Sequence, residues 1–425
     1  MSGERIVIQG GRVIDPANGI DAVLPVYIAD GKIAAVGTMP DGFQAEREIS
    51  AAGQIVCPGL VDLCARLREP GLEHKATIAS ETAAAAAAGV TTLCCPPDTD
   101  PVIDTPAVVK LIQERAERAG KARVLPIGAF TRGLNGKDLS EMSALKEAGC
   151  LAVSNAHAPV ANPLILRRAL EYAASHDLLV VIRPDDPWLR GEGCVHEGAV
   201  GSRLGLPGIP SSAETVAVAQ ALALIDQIGA RAHFGQLSSA RAVEMIAEAR
   251  QKGLPVTADV SIHQLHCTEA AVDGFNALCH VIPPFRTEAD REALRAGLAS
   301  GVIAAICSDH QPHDLDAKLD AFPSTEPGVA ALETLLPLTL LLIEQGVLDF
   351  SAAIARLTWG PAGVLGSKTG TLGVGATADV CLLDPTISWT VDEQQWRSSG
   401  KNTPFWGETL KGRPTLTILA GRVIA

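Results

Sequence analysis

The chain is poor in the features that mark extracellular and membrane proteins. Its 10 cysteines form no C-x-x-C pair, and most lie in apolar strings such as Leu93-Cys94-Cys95, which favours buried free thiols over a disulfide framework. The most apolar stretch, Leu335–Ile343, contains Pro337 and is too short to span a bilayer. Met1–Arg5 leads straight into a strand pattern, without the apolar core of a secretory leader. We therefore expect a soluble, cytoplasmic protein.

Positive charge is also in the minority. Lys and Arg number 35 against 48 Asp and Glu, which gives a formal net charge of −13. A balance this acidic argues against nucleic acid or an anionic membrane as the main partner. What the chain does have is length and apolar content, with 425 residues of which 47% are apolar. It can therefore bury a large core or divide into two domains, and a disordered chain is excluded.

Both ends of the chain have the short apolar alternation of β-strands. Near the start, Asp30-Gly31 separates two such strands, Val26–Ile28 and Lys32–Gly37, and this dipeptide is a strong hairpin signal. Near the end, Ala378–Leu383 and Leu416–Ile424 have the same pattern. We expect the terminal strands to pair with each other in a composite β-sandwich domain formed by residues 1–57 and 366–425.

Between the ends, short apolar runs alternate with helical stretches over residues 58–365. Eight such β-then-α units can be counted, from the run Gly59–Leu63 to the run Val302–Ile306. This rhythm favours an α/β fold of the (β/α)8 TIM-like barrel type, whose strands are apolar on both faces. A doubly wound open sheet is the alternative, because periodicity does not count closure. In a barrel, the chemistry is expected where the strands end.

Six segments in a fixed order resemble motifs of the dihydroorotases, amidohydrolase-superfamily enzymes that close carbamoyl aspartate to dihydroorotate. They are Cys57–Gly71, Pro97–Pro101, Ile282–Arg286, Ile306–His313, Pro327–Thr334 and Lys401–Gly407. Because they run from the first predicted barrel strand almost to the end of the chain, the resemblance covers the whole length. It implies an amidohydrolase-like barrel with a small β domain, and a metal site at the carboxyl ends of the strands.

The resemblance fails at the positions that hold the family's metal. The replaced ligand positions are Cys64, Arg66, Asn155, Arg183 and Gln236, and the only one that is kept is the eighth-strand Asp309. Zn²⁺ needs several converging imidazole, thiolate or carboxylate donors, whereas an arginine has no lone pair to donate and stays charged. We therefore expect an inactive homologue that holds no metal or other cofactor, with Asp309 as a vestige of the catalytic site.

The family's substrate-binding positions are half kept. Arg68 and His313 match its substrate arginine and late histidine, while Asp98 and Ile282 replace two asparagines. A carboxylate at Asp98 would repel an anionic substrate, and Ile282 removes a hydrogen bond. Since each uncompensated polar loss costs about 1–3 kcal/mol, tight binding of the family substrate is not expected.

The two arginines at metal positions allow two interpretations. Arg66 and Arg183 could form ion pairs with Asp309 or Asp185, because buried charges are normally paired. Alternatively, the two arginines could hold a phosphorylated or carboxylated ligand together with Arg68 and His313, since arginine recognises such groups bidentately. The second interpretation predicts an anion-binding regulatory subunit.

A third interpretation is that the chain is an active enzyme. Cys64 and Asp309 could recruit a metal in a new geometry with nearby histidines, for which the candidates are His263, His310 and His313. This arrangement predicts a working cyclic amidohydrolase with a displaced metal site.

Within the family, the altered motifs look like those of the dihydroorotase-like non-catalytic chain that assembles with aspartate carbamoyltransferase in some bacteria. This resemblance implies a scaffold for the catalytic chains of that enzyme in pyrimidine biosynthesis, and a homo-oligomer within a larger complex. Composition and spacing do not reveal the partner. They support a weaker statement, that a chain which keeps its fold after losing its metal ligands acts through its surface.

Overall fold

The computed structural model describes residues 4–425. Its N-terminal strands, which include a hairpin, begin the β domain. The strands are β1 (Ile6–Gln9), β2 (Arg12–Asp15), β3 (Ile20–Val23), β4 (Val26–Ala29), β5 (Lys32–Val36), β6 (Arg47–Ser50) and β7 (Ile55–Pro58). β4 and β5 pair in antiparallel fashion. Between them, Asp30 and Gly31 have φ angles of 52° and 73°, the left-handed values that a type I′ turn requires. The predicted hairpin is confirmed.

Eight parallel strands form the barrel, and we call these strand positions staves because one of them is interrupted. The strands of this region are β8 (Leu60–Asp62), β9 (Val90–Cys95), β10 (Arg123–Pro126), β11 (Gly128–Ala129), β12 (Ala152–Ser154), β13 (Leu179–Ile182), β14 (Val195–His196), β15 (Gly208–Ile209), β16 (Ala232–Phe234), β17 (Val256–Ser261) and β18 (Ala305–Cys307). β10 and β11 are two halves of the third stave, separated by Ile127. β14 and β15 pair only with each other, as a small ribbon in the connection between β13 and β16.

The first and the eighth staves meet just beyond their assigned ends. The main-chain N–H of Arg66 donates to the carbonyl of His310 at 2.9 Å, and the N–H of His310 donates to the carbonyl of Cys64 at 3.2 Å. These two bonds close the ring of strands. The barrel prediction is therefore confirmed and the open doubly wound sheet is excluded.

Twelve helices connect or flank the strands. They are α1 (Ile78–Ala87), α2 (Pro106–Ala119), α3 (Met142–Glu147), α4 (Pro163–Ser175), α5 (Pro187–Arg190), α6 (Ala199–Leu204), α7 (Ser211–Ile228), α8 (Ala240–Gln251), α9 (Glu288–Ser300), α10 (Leu332–Glu344), α11 (Phe350–Leu357) and α12 (Trp359–Leu365). None of the helices in the described part of the chain is long and apolar enough to cross a membrane.

The C-terminal strands complete the β domain against the N-terminal ones. They are β19 (Val380–Thr390), β20 (Thr409–Leu419) and β21 (Arg422–Val423). β19 pairs with β7 in antiparallel register, with Cys381 opposite Cys57. The sheet orders are β5-β4-β1-β6 and β21-β20-β19-β7-β2-β3, and Ile8, Val56 and Leu382 are buried in the core of this domain. The two ends of the chain therefore pair as predicted, and a single residue, Gly59, separates the sandwich strand β7 from the barrel strand β8.

Apolar side chains fill one end of the barrel. Val364 and Leu365 of α12 pack with Val61, Cys94 and Leu179 of the strands in one buried cluster. Cys64, Arg183 and Gln236 follow the carboxyl ends of β8, β13 and β16. The candidate site therefore lies at the carboxyl ends of the strands.

Candidate functional site

Polar residues from five staves line a cavity inside the barrel. We call it the central cavity. Its polar lining is Cys64, Arg66, Ser154, Arg183, His233, Gln236 and Asp259. Four of the five replaced ligand positions are thus brought together, as predicted from the order of the motifs. Asn155 is instead part of the lining of a neighbouring cavity.

Arg66 bridges two carboxylates. Its Nε donates to Asp98 Oδ2 at 2.7 Å and its Nη1 lies 3.4 Å from Asp309 Oδ1. Burial lowers the pKa of Arg66, but the neighbouring carboxylates outweigh this effect and hold the pKa above its ordinary value. The predicted ion pair with Asp309 is present. The expected repulsion of an anionic ligand by Asp98 stays a prediction, and Asp98 shares the charge of Arg66 with Asp309.

Cys64 completes this cluster as a protonated thiol. Its Sγ lies 3.5 Å from Asp309 Oδ1 and 3.8 Å from Arg66 Nη1. Burial, reinforced by the charge of Asp309, raises the pKa of the Cys64 thiol well above its ordinary value. Because the thiolate is the nucleophilic form of cysteine, Cys64 is not suited to act as a nucleophile here.

Arg183 has no comparable partner. Its Nη1 lies 3.9 Å from Asp185 Oδ2, and its buried Nε and Nη1 make no hydrogen bond. Asp185 is engaged instead by Arg190, whose Nη1 donates to the same Oδ2 at 3.0 Å. Burial, the largest influence, lowers the pKa of Arg183. The predicted ion pair of Arg183 with Asp185 is therefore present but long, and Asp185 bonds more closely to Arg190.

Asn155 and Gln236, the two amide residues at replaced ligand positions, hydrogen-bond to nearby groups of the protein. Asn155 Oδ1 accepts from Thr131 Oγ1 at 2.6 Å, and its Nδ2 donates to the carbonyl of Ala158 at 3.1 Å. Gln236 has a φ of 53°, and its main-chain N–H donates to Asp259 Oδ1 at 2.6 Å. These contacts tie the ends of β12 and β16 to their surroundings and provide no converging metal donors.

The retained substrate residues bond to each other outside the central cavity. Arg68 Nε donates to the carbonyl of Pro312 at 2.9 Å, and its Nη2 lies 3.1 Å from His313 Nε2. Burial, followed by the charge of Arg68, lowers the pKa of His313 to about 2, so the imidazole is neutral. Neither residue lines the central cavity, whereas Arg66 and Arg183 both do. Ile282 lines a third cavity beside Arg183.

Of the histidines proposed for a displaced metal, His310 is engaged by other groups through both ring nitrogens. His310 Nε2 lies 2.7 Å from Glu81 Oε2, while its Nδ1 accepts from the main-chain N–H of Ala331 at 3.0 Å. Burial lowers the pKa of His263 to about 4. Within residues 4–425, no group of three or more His, Cys, Asp or Glu side chains is arranged to hold a metal ion. The donor set present does not fit the zinc site that the family implies, since a guanidinium lies against the one retained carboxylate.

Three features of the site were not predicted from the sequence. These are the Arg66–Asp98 pair, the Asp185–Arg190 pair, and the buried His157, whose Nε2 has no hydrogen-bond partner. The spacing of Arg190 five residues after Asp185, with Pro187 starting a short helix between them, is a signal that could have revealed the second pair. Neither of the other two features has a signal in the local sequence.

The comparisons with known proteins agree with the fold and the motif order. Residues 53–242 match a family model described as Dihydro-orotase-like. A Dihydroorotase-like protein from Pseudomonas aeruginosa is 51% identical over 418 residues, which cover 98% of this chain and 99% of the relative. A Dihydroorotase from Syntrophotalea carbinolica is 46% identical over 419 residues, covering 99% of this chain and 98% of that one.

Among solved structures, the L-hydantoinase (dihydropyrimidinase) from Arthrobacter aurescens matches with a TM-score of 0.88 at 24% identity, over 100% of this chain and 96% of that one. A D-hydantoinase matches with a TM-score of 0.83 at 23% identity, covering 99% and 95%. At this level of identity the likeness concerns the fold alone, and it confirms the barrel with an added β domain.

Proposed function

We propose, from the premise that this chain belongs to the dihydroorotase-like family of the amidohydrolase superfamily, that it is a non-catalytic member. It would serve as an assembly subunit of an aspartate carbamoyltransferase complex in de novo pyrimidine biosynthesis. The observation that carries the first part is Arg66, a fixed cation that occupies a ligand position and lies 3.4 Å from the only retained metal carboxylate, Asp309.

Arg66 opposes a metal ion beside Asp309 in two ways, through charge repulsion and through the lack of a donor atom. A divalent cation beside Asp309 would have to displace a buried guanidinium of the same charge sign, and it would gain no donor from Arg66. Cys64, the remaining candidate, lies 3.8 Å from the same guanidinium and 3.5 Å from Asp309 Oδ1. No residue of the central cavity supplies the converging donor set of a hydrolytic zinc site, and we derive no step of hydrolysis from this pocket.

Support for the partner comes from the family resemblance of the motifs. The full fold is kept, with both the barrel and the sandwich present, although its catalytic positions have changed. Such a chain acts through its surface, and the aspartate carbamoyltransferase catalytic chain is the partner that the resemblance implies. We further propose that the chain is a homo-oligomer within that complex.

Metal analysis combined with an activity assay tests the non-catalytic part. We expect purified protein supplied with zinc to hold less than one ion per chain and to show no cyclisation of carbamoyl aspartate. A dihydroorotase with an intact H-x-H motif, prepared in parallel, serves as the control. Stoichiometric zinc together with turnover would contradict the proposal.

Co-expression tests the assembly part. With the aspartate carbamoyltransferase catalytic chain of the same organism, we expect one co-eluting complex larger than either chain alone. Two separate peaks at micromolar concentration would count against the scaffold role, and would leave the non-catalytic part unaffected.

One observation favours the enzymatic alternative. The Syntrophotalea carbinolica relative, 46% identical over 419 residues, is named Dihydroorotase. A displaced metal site in this chain would have to draw on donors other than Cys64 and His310, both of which are engaged as described. Turnover that a chelator abolishes and zinc restores would establish this alternative.

A further inference from the structure

Arg183 is a buried cation whose hydrogen-bonding capacity is not used. Its side chain is 6% exposed, and neither Nε nor Nη1 has a hydrogen-bond partner. Buried polar groups in proteins are almost always hydrogen-bonded, and an unpaired buried charge is costly. Burial also lowers the pKa of Arg183, which indicates that the surrounding charges do not compensate it. The molecule thus contains donors that lack an acceptor.

The nearby carboxylates are already engaged. Asp185 Oδ2 lies 3.0 Å from Arg190 Nη1 but 3.9 Å from Arg183 Nη1, and Asp309 is bound by Arg66. Asp185 and Arg190 therefore bond to each other, and the Nε and Nη1 donors of Arg183 are left without an acceptor. An acceptor from outside the chain would complete these bonds.

Arg183 lies where three cavities meet, and one of them contains a second unpartnered donor. We call this one the side cavity. Its lining includes Phe130, Asn155, His157, Val160, Arg183 and Gln220. The Nε2 of His157 is buried without a partner. Burial, followed by the charge of Arg183, holds the pKa of His157 well below its ordinary value, so that the neutral ring can carry its proton on Nε2.

We propose that the side cavity binds the carboxylate of a small monocarboxylic acid, with Arg183 and His157 donating to its oxygens. The apolar part of the wall, which includes Phe130 and Val160, would take the hydrocarbon part of the ligand. A carboxylate offers two acceptor oxygens for these donors and adds only one negative charge to the cavity. A dianion such as phosphate would leave excess negative charge beside Asp185, which also lines this cavity.

This site differs from the positions that the family uses for its substrate. Arg68 and His313 bond to each other and do not line the side cavity. Arg66, the other arginine of the pocket, is engaged by two carboxylates. Ligand binding in the side cavity therefore goes beyond the proposed assembly role and is independent of the partner.

Calorimetry on the full chain tests the proposal without any variant. Benzoate is the probe, and benzamide has the same ring without the charge. We expect saturable binding of one benzoate per chain and at least tenfold weaker binding of benzamide and of inorganic phosphate. The absence of benzoate binding, or equal affinity for benzamide, would overturn the proposal.

Two variants locate the site. Arg183→Met removes the donors and should weaken benzoate binding at least tenfold. Arg190→Gln acts through a residue that is partly exposed, so the fold is retained; it frees Asp185 to pair with Arg183, and we expect several-fold weaker binding. Arg203→Gln, which removes an exposed ion pair with Asp273, is the matched control and should bind as the wild type does. Unchanged affinity in Arg190→Gln overturns the proposal, as does binding that Arg183→Met leaves intact.

Discussion

Arg66 shows what a replacement at a metal position requires of its neighbours. A guanidinium in the barrel needs counter-charges, and Asp98 and Asp309 provide them at 2.7 and 3.4 Å. Arg183, at another replaced position, has gained no such partner. The two arginines therefore differ in what their removal costs in stability. Removing one partner of a buried ion pair costs several kcal/mol, whereas removing a buried charge without a close partner does not.

Removal of the Arg66 charge should destabilise the protein. We expect Arg66→Met to lower the free energy of unfolding by about 3–5 kcal/mol, because Asp98 and Asp309 lose their shared cation. The measurement is urea unfolding followed by fluorescence. Arg132→Met is the control, because its pair with Glu141 is exposed and should contribute less than about 1 kcal/mol. A loss in Arg66→Met no larger than in the control would show that the pair does not stabilise the barrel.

Arg183→Met, in contrast, should not destabilise the protein. The variant replaces an uncompensated buried charge by an apolar side chain of similar length, so we expect the free energy of unfolding to stay constant or rise by about 1 kcal/mol. The same urea titration measures it. A loss of several kcal/mol would mean that Arg183 has a stabilising partner within the chain.

At the scale of elements, two carboxylates hold the segment between β19 and β20. Glu81 of α1 accepts from Ser398 Oγ at 2.6 Å and from the N–H of Ser399 at 3.0 Å. Glu333 of α10 accepts from the N–H groups of Arg397 and Ser398 at 2.8 and 3.0 Å. Glu333 belongs to one of the family-like motifs, and the segment leads into another. These motifs therefore persist here as structural connections.

Glu333 should make stability depend on pH. Burial raises its pKa from 4.5 to about 7, so the folded chain keeps a proton that the unfolded chain releases above about pH 4.5. Raising the pH from about 4.5 through 7 therefore favours unfolding. We expect Glu333→Gln, whose amide oxygen can still accept both N–H groups, to gain about 1–3 kcal/mol relative to the wild type between pH 5 and 8. A difference between the two proteins that does not vary with pH would contradict this assignment.

The sequence predicted elements well where local patterns determine them. The apolar rhythm predicts helices near 163–175 and over 211–228, and α4 and α7 have these bounds, since Pro163 and the αL Gly229 mark a start and an end. It also predicts a helix over 138–148, whereas α3 begins at Met142, because Asn135 Oδ1 accepts from the N–H groups of Lys137 and Asp138 and holds a turn there. This helix is therefore shorter at its N-terminal end than the pattern predicts.

The candidate site was predictable in its membership but not in its pairing. Motif order placed Cys64, Arg66, Arg183 and Gln236 in one pocket, because the carboxyl ends of barrel strands converge. The pairing depends on a loop, since Asp98 reaches Arg66 from beyond the end of β9. Distances of this kind arise from tertiary packing and have no signature in local sequence.

At the scale of the whole molecule, the sandwich and the barrel share one continuous stretch of chain. β7 pairs with β19 in one sheet and, after Gly59, continues as the first barrel strand β8. The side chain of Thr417 on β20 also donates to the carbonyl of Ala86 in α1 at 2.7 Å. The two halves should therefore unfold together.

A core substitution in the sandwich tests this coupling. Leu382 is buried between the two sheets, and Leu382→Ala should cost about 2–5 kcal/mol through the cavity it leaves. We expect a single calorimetric transition that moves as a whole to lower temperature. Thr390→Ala, on the exposed end of the same strand, is the control. Two transitions, with only one displaced, would show that the sandwich unfolds on its own.

The shared ion pairs of Arg66 also bear on the history of the chain. A single reversion of Arg66 to histidine would leave Asp98 and Asp309 without their cation, while Arg183 would still oppose a metal nearby. A return to a metal site that begins at Arg66 thus passes through a less stable protein. Selection acting one substitution at a time would favour keeping the guanidinium, and under the proposed non-catalytic role the charge network would make the change hard to reverse.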